Sequence, residues 1–100
     1  RDQGWVVPKG RPNARLVVQT IPDDAPPLIR EGLARRRIQA VEGACPCGGP
    51  MIWYDDPEVE AGKYRGQLIT HATHAMHERR CPAGDPVFIP AMEEWSKMRQ

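Results

Sequence analysis

No run in the 100-residue sequence approaches the ~20 consecutive apolar residues that a membrane-spanning helix needs, so no membrane partner is expected. Charge of neither sign is in excess. Fourteen Lys and Arg stand against 13 Asp and Glu, for a net charge of +1, and any basic surface must therefore be local rather than global. There is no Walker loop, no G-x-G-x-x-G and no Ser/His/Asp arrangement, and the cysteines have no evident base beside them. The reading is accordingly of a protein that is not an enzyme. Internal repeats, low-complexity tracts and linkers are also missing. Cysteine is scarce and odd in number, three in all, which argues against a purely disulfide framework and favours a reducing, cytoplasmic setting.

Proline and glycine, by contrast, are plentiful, at 11 and nine, and cut the chain into short elements. The expected fold class is α+β, a single zinc-binding domain over residues 1–100. It divides into a basic β-hairpin (1–21), a helix (24–43), a zinc-binding unit (44–81) and a loop with a C-terminal helix (82–100). In the hairpin, strands over Trp5 to Val7 and Arg15 to Ile21 flank the turn formers Pro8, Gly10, Pro12 and Asn13. The first helix has Asp23 or Asp24 as cap and Pro26 and Pro27 in its first turn. Ile29, Leu33 and Ala40 form its apolar stripe, Leu28, Ile38 and Val41 widen it, and Gly43 ends it. A strand is expected at Met51 to Tyr54 and a second near Tyr64 to Ile69. Composition favours helix over "THATHAMHERRC", and Pro90 opens a last helix with Ala91, Trp95 and Met98 on one face.

The chemistry-bearing stretch is "EGACPCGGPMIWY". Cys45 and Cys47 lie one residue apart on a turn, and the two following glycines suit a chain that must wrap an ion with positive φ and close backbone amides. The second half is His77 and Cys81, an H-x3-C spacing that on a helix would place both side chains on one face. His74 competes for the third place, and His71 is more remote. Together Cys45, Cys47, His77 and Cys81 form a thiolate-rich set for Zn2+. These halves resemble those of zinc fingers and ribbons at the four ligand positions alone. A disulfide between Cys45 and Cys81, or cysteines that are only small buried hydrophobes, are the competing readings.

"HERRC" also resembles the start of the H-E-x-x-H metalloprotease pattern, with Cys81 in place of the second histidine. Two further cysteines would close the shell that a catalytic zinc keeps open for water, which leaves Glu78 as an ordinary surface residue. Local basic charge falls on the hairpin tip (Lys9, Arg11, Arg15) and on one face of the helix (Arg30, Arg37), while Glu31 can pair with Arg35. The acidic stretch from Asp55 to Glu60 should face away from any phosphate. Trp5, Trp53 and Trp95 read as core residues in so short a chain, with base stacking as the alternative. The resulting expectation is a non-catalytic, zinc-stabilised module that contacts nucleic acid or a nucleoprotein complex. The alternative is a protein-interaction or assembly factor of bacterial or phage origin, with a zinc-dependent hydrolase third.

Overall fold

The computed structural model describes residues 3–53, 55–56 and 73–99. The fold is α+β, in the order β1 (Gln3–Val6), β2 (Leu16–Gln19), α1 (Pro27–Glu42), β3 (Met51–Trp53), β4 (Thr73–Ala75) and α2 (Asp85–Met98). Two antiparallel pairs, β1 with β2 and β3 with β4, make separate two-stranded sheets. The strand expected near Tyr64 to Ile69, and most of the acidic stretch, lie outside the described residues. Among the described residues no helix is long and apolar enough to cross a membrane.

The first hairpin alternates cleanly. Val18 and Pro8 are buried, Val6 and Leu16 half-buried, whereas Trp5, Val7, Arg15, Val17 and Gln19 are exposed, the period-two pattern of a sheet with one face packed. Only one of its two faces is covered. Two successive turns form the tip, closed by the Arg11 amide on the Pro8 carbonyl and the Ala14 amide on the Arg11 carbonyl. That tip is docked: the Lys9 amide donates to the Val41 carbonyl at the end of α1, at 2.8 Å.

Helix α1 runs close to its expected bounds. Pro26 is the N-cap residue and Pro27 follows it in the first turn, where the missing N–H costs nothing. Neither Asp23 nor Asp24 caps. Instead the carbonyls of Pro22 and Asp23 accept from the Arg30 guanidinium. Gly43 ends the helix at φ 86°, its N–H on the Gln39 carbonyl, a left-handed stop that glycine adopts without penalty. The buried stripe is Ile29, Gly32, Leu33, Gln39 and Ala40. Leu28 and Ile38, expected to widen it, are 47% and 42% exposed.

Helix α2 starts at Asp85, so Val87 to Ile89 is helical and Pro90 lies inside rather than at the opening. Pro86 fills the first-turn position, and Pro90 sits where its absent N–H would have met the Pro86 carbonyl. Phe88 and Trp95 pack against Ala25, Ile29 and Leu33, with Ile21, Ala91 and Met92 at the margin. Met98, expected on the packed face, is exposed. Gly32 permits this contact, because a Cβ there would lie 2.6 Å from the Pro82 carbonyl oxygen and 2.7 Å from the Phe88 ring.

The largest correction concerns "THATHAMHERRC". It is not a helix in its described part: Thr73–Ala75 is a strand, and residues 76–81 form an irregular turn. Thr and His suit a strand better than a helix, and β3 supplies the partner, in the register Met51↔Ala75, Ile52↔His74, Trp53↔Thr73. Extended by one pair, that register sets Met76 opposite Pro50, and the Met76 amide donates to the Pro50 carbonyl at 2.9 Å. The reciprocal bond cannot form, because proline has no N–H. The Gln39 side chain supplies the missing donor: its Nε2 lies 2.8 Å from the Met76 carbonyl oxygen, and also reaches those of Gly49 and Pro50. Gln39 is 1% exposed, the one buried polar residue among those described.

This arrangement makes a direct prediction. Gln39→Leu keeps the volume but strips the Met76 carbonyl of its donor, and an unsatisfied buried acceptor costs about 1–3 kcal/mol. Urea denaturation should show a loss of that size. An unchanged midpoint would mean that the Gln39 amide is not needed to complete the ladder.

Candidate metal centre

Two short turns carry the four ligand candidates. The first is a tight reversal after α1: the Gly48 amide donates to the Cys45 carbonyl and the Cys45 amide to the Gly49 carbonyl, both at 2.8 Å, with an Ala44↔Pro50 bridge at the base. Its two glycines serve different needs. Gly48 adopts φ 97°, whereas at Gly49 a Cβ would overlap the Met76 carbonyl of the opposing segment. The second turn leads from β4 to α2, where the Cys81 amide donates to the Glu78 carbonyl and the Gly84 amide to the Cys81 carbonyl. His77 and Cys81 therefore meet across a reverse turn, not along a helix face.

The ligand atoms of Cys45, Cys47, His77 and Cys81 all lie within 4.8 Å of one another. Cys45 Sγ is 3.6 Å from Cys81 Sγ, and His77 Nδ1 is 3.7 Å from Cys81 Sγ and 3.9 Å from Cys47 Sγ. A tetrahedron with Zn–S bonds near 2.3 Å has edges of about 3.8 Å, so these separations match the shell of a single ion. They do not match a disulfide, whose sulfurs lie about 2.05 Å apart, and all three cysteines are free. His74 lies on β4 opposite Ile52, outside this set. His71 falls outside the described residues.

Several N–H groups face the sulfurs. The Glu78 amide donates to Cys47 Sγ and the Ala83 amide to Cys81 Sγ, each at 3.4 Å, and Arg35 Nη1 lies 3.8 Å from Cys81 Sγ. Burial pushes the Cys45 thiol up to about 11, against the Cys47 amide, which lowers it, and with the Cys47 and Cys81 side chains adding to the rise. For Cys47 burial also pushes upward, but the amides of Glu78 and Gly49 outweigh it and hold the thiol below its ordinary value. His77 is lowered, first by burial and then by the Arg36 charge, so its ring favours the neutral form that binds metal. Three thiolates, one neutral imidazole and a dication sum to a charge of about −1, and the adjacent Arg35 guanidinium opposes it.

Arg36 braces the second turn from below. Its Nε lies 2.8 Å from the Ala83 carbonyl oxygen, its Nη2 3.3 Å from Asp85, and its guanidinium 3.9 Å above the Phe88 ring. Gln39, Arg35 and Arg36 are the supporting residues that sequence reasoning missed. A polar residue within an apolar helical stripe was the available signal for Gln39, whereas the RRR run gave no hint of which arginine turned inward. The Glu78 carboxylate accepts from the Arg80 amide within its own turn.

The basic residues are dispersed. Lys9 pairs with Glu42 at 2.8 Å, and Arg11 is held by Asp55 at 2.9 Å and Asp56 at 3.0 Å while lying 4.2 Å over the Trp53 ring. The visible start of the acidic stretch thus sits beside the basic tip instead of facing away. The hydrogen bond from Arg11 holds the Asp55 carboxyl below its usual range. Arg15 and Arg37 are exposed, with no side-chain partner among the described residues. No family model, curated protein or solved structure matches the chain.

Metal binding by this set would be proton-coupled, because an ion such as zinc takes the thiolates and the neutral imidazole. The raised Cys45 thiol has to release its proton to the solvent, and the lowered His77 keeps its neutral form until the pH falls below its ordinary value of 6.5. Apparent zinc affinity should therefore weaken on acidification by roughly tenfold per displaced proton per pH unit. Competition with a chromophoric chelator from alkaline to mildly acidic pH measures this. A flat profile would contradict thiolate ligation.

Proposed function

We propose that the protein is a non-catalytic binding module shaped by one structural zinc ion and directed at nucleic acid or a nucleoprotein complex. The closed four-donor set carries the first part. Three soft thiolates and an imidazole at tetrahedral separations select zinc over hard cations, and four protein ligands leave no position for an activated water. Such a set holds shape rather than performing chemistry. Reduced, metal-binding cysteines also suit the cytoplasm.

Exposed cations on the first hairpin and on α1 support the second part. Arg15 and Arg37 are unpaired among the described residues. The Lys9–Glu42 pair is 69% and 47% exposed on its two side chains, and a surface pair of this kind is worth at most about 1 kcal/mol, so Lys9 can exchange its partner for a phosphate. Arg11 and Arg30 are engaged by carboxylates and backbone carbonyls, which makes them the weaker candidates in the set.

Three phosphate contacts imply a modest, measurable salt dependence. Anisotropy of a labelled oligonucleotide should show log affinity falling with log salt at a slope of roughly 2 to 3, between about 50 and 200 mM. No binding at the low-salt end would remove the nucleic-acid reading.

A further inference from the structure

Trp5 is 66% exposed, although tryptophan is among the most buried side chains on average. It stands at the centre of the outward face of the β1–β2 sheet, directly opposite Val17, itself 49% exposed. The same register continued by one pair places Val7, 51% exposed, across from Arg15. Gln19, next along that face of β2, is also exposed. Trp5, Val7, Arg15, Val17 and Gln19 thus share one solvent-facing surface, while the alternate residues of the same strands pack inward.

The charge of this face has one sign. Among its described residues it bears Arg15 and no carboxylate, and Arg37 of α1 lines a cavity of about 330 Å³ that Val17 and Gln19 border, beside the edge of β2; the one carboxylate on that cavity, Asp85, is paired with Arg36 at 3.3 Å. Glu42, Asp55 and Asp56, which reach the hairpin tip, are already turned to Lys9 and Arg11. An apolar peptide would find Trp5 and the two valines suitable, but would leave Arg15 and Arg37 without use. A segment carrying both flat aromatic groups and regularly spaced anions uses all of them.

We infer that this sheet face is a stacking platform for single-stranded nucleic acid, with Trp5 taking a base on its ring and Arg15 and Arg37 holding the flanking phosphates. The inference rests on the nucleic-acid reading above and narrows it. Stacking requires an unpaired base, because a base within a duplex offers no free ring face. Val7 and Val17 flank the ring and exclude water from one side of the stacked base. Gln19 offers amide groups to a base edge without demanding one sequence, so binding is tolerant of sequence.

The test uses the zinc-loaded chain, a fluorescein-labelled single-stranded oligonucleotide of mixed sequence, and its duplex. Single strand should bind at least about tenfold more tightly than duplex. Trp5→Ala should weaken single-strand binding by about tenfold or more while leaving the salt slope unchanged. Arg15→Ala should reduce the slope by about 0.7, the loss of one phosphate contact. Both positions are exposed, and unaltered zinc content and melting temperature verify that the variants fold.

If the oligonucleotide binds and Trp5→Ala has no effect, or duplex binds equally well, the stacking platform is overturned while the nucleic-acid reading stands. If neither nucleic acid binds at low salt, both fall. Self-association that Trp5→Ala abolishes would make the face a protein interface and would also overturn the inference.

Discussion

Three sulfurs and an imidazole nitrogen converge within a few ångströms at the point where two turns far apart in sequence meet. Without a cation that convergence is unfavourable. Thiolates so close together repel, and the alternative of protonated thiols is visible in the upward push on Cys45. A bound dication would reverse the balance, lowering the cost of each thiolate and tying the turn at Cys45 to Gly49 to the turn at His77 to Cys81. Much of the surrounding structure serves that junction. Gly43 ends α1 so that the chain enters the first turn at once, Gly49 lets it lie against the Met76 backbone, and Gln39 completes the ladder where Pro50 has no N–H to give.

The apolar packing is divided in a way that makes the metal important. One cluster joins α1 to α2 through Ile29, Leu33, Phe88 and Trp95, and the second consists of Cys45, Cys81 and Ala83 with Cys47 at its edge. The ligands are therefore themselves the second core. Small thiol side chains bury little area, so at ~25 cal/mol per Å² this half gains little from hydrophobic burial, and a coordinated ion would supply what burial does not. Helix α1 connects the halves, since its buried stripe enters the first cluster at Ile29 and its Gln39 reaches the second. Arg36 adds a second link, from α1 to Ala83, Asp85 and the Phe88 ring.

How much of this was legible in the sequence follows from whether each feature is local. Helix α1 and its glycine stop were readable, because caps, prolines and apolar spacing act within a few residues. The four ligand candidates were readable because cysteine and histidine are few, so chemistry rather than geometry narrowed the choice. Strand β4 was not: three residues of Thr, His and Ala have no strong preference, and only pairing with β3 makes them a strand. Gln39 was hidden for a related reason, because its role exists only once the register sets Met76 opposite Pro50. Trp5 misled through its residue type. A two-stranded sheet has one face to bury, and which face that is depends on where α1 packs.

The claim on which the account depends is that the ion holds the second core together. Bound structural zinc contributes on the order of 10 kcal/mol, comparable with the whole stability of a small domain, about 5–15 kcal/mol. The most direct measurement is native mass with and without a chelator, paired with thermal unfolding of the same two samples. One zinc per chain, and loss of the cooperative transition once it is removed, is the predicted result. A metal-free chain that keeps both its fold and its melting temperature would contradict the account.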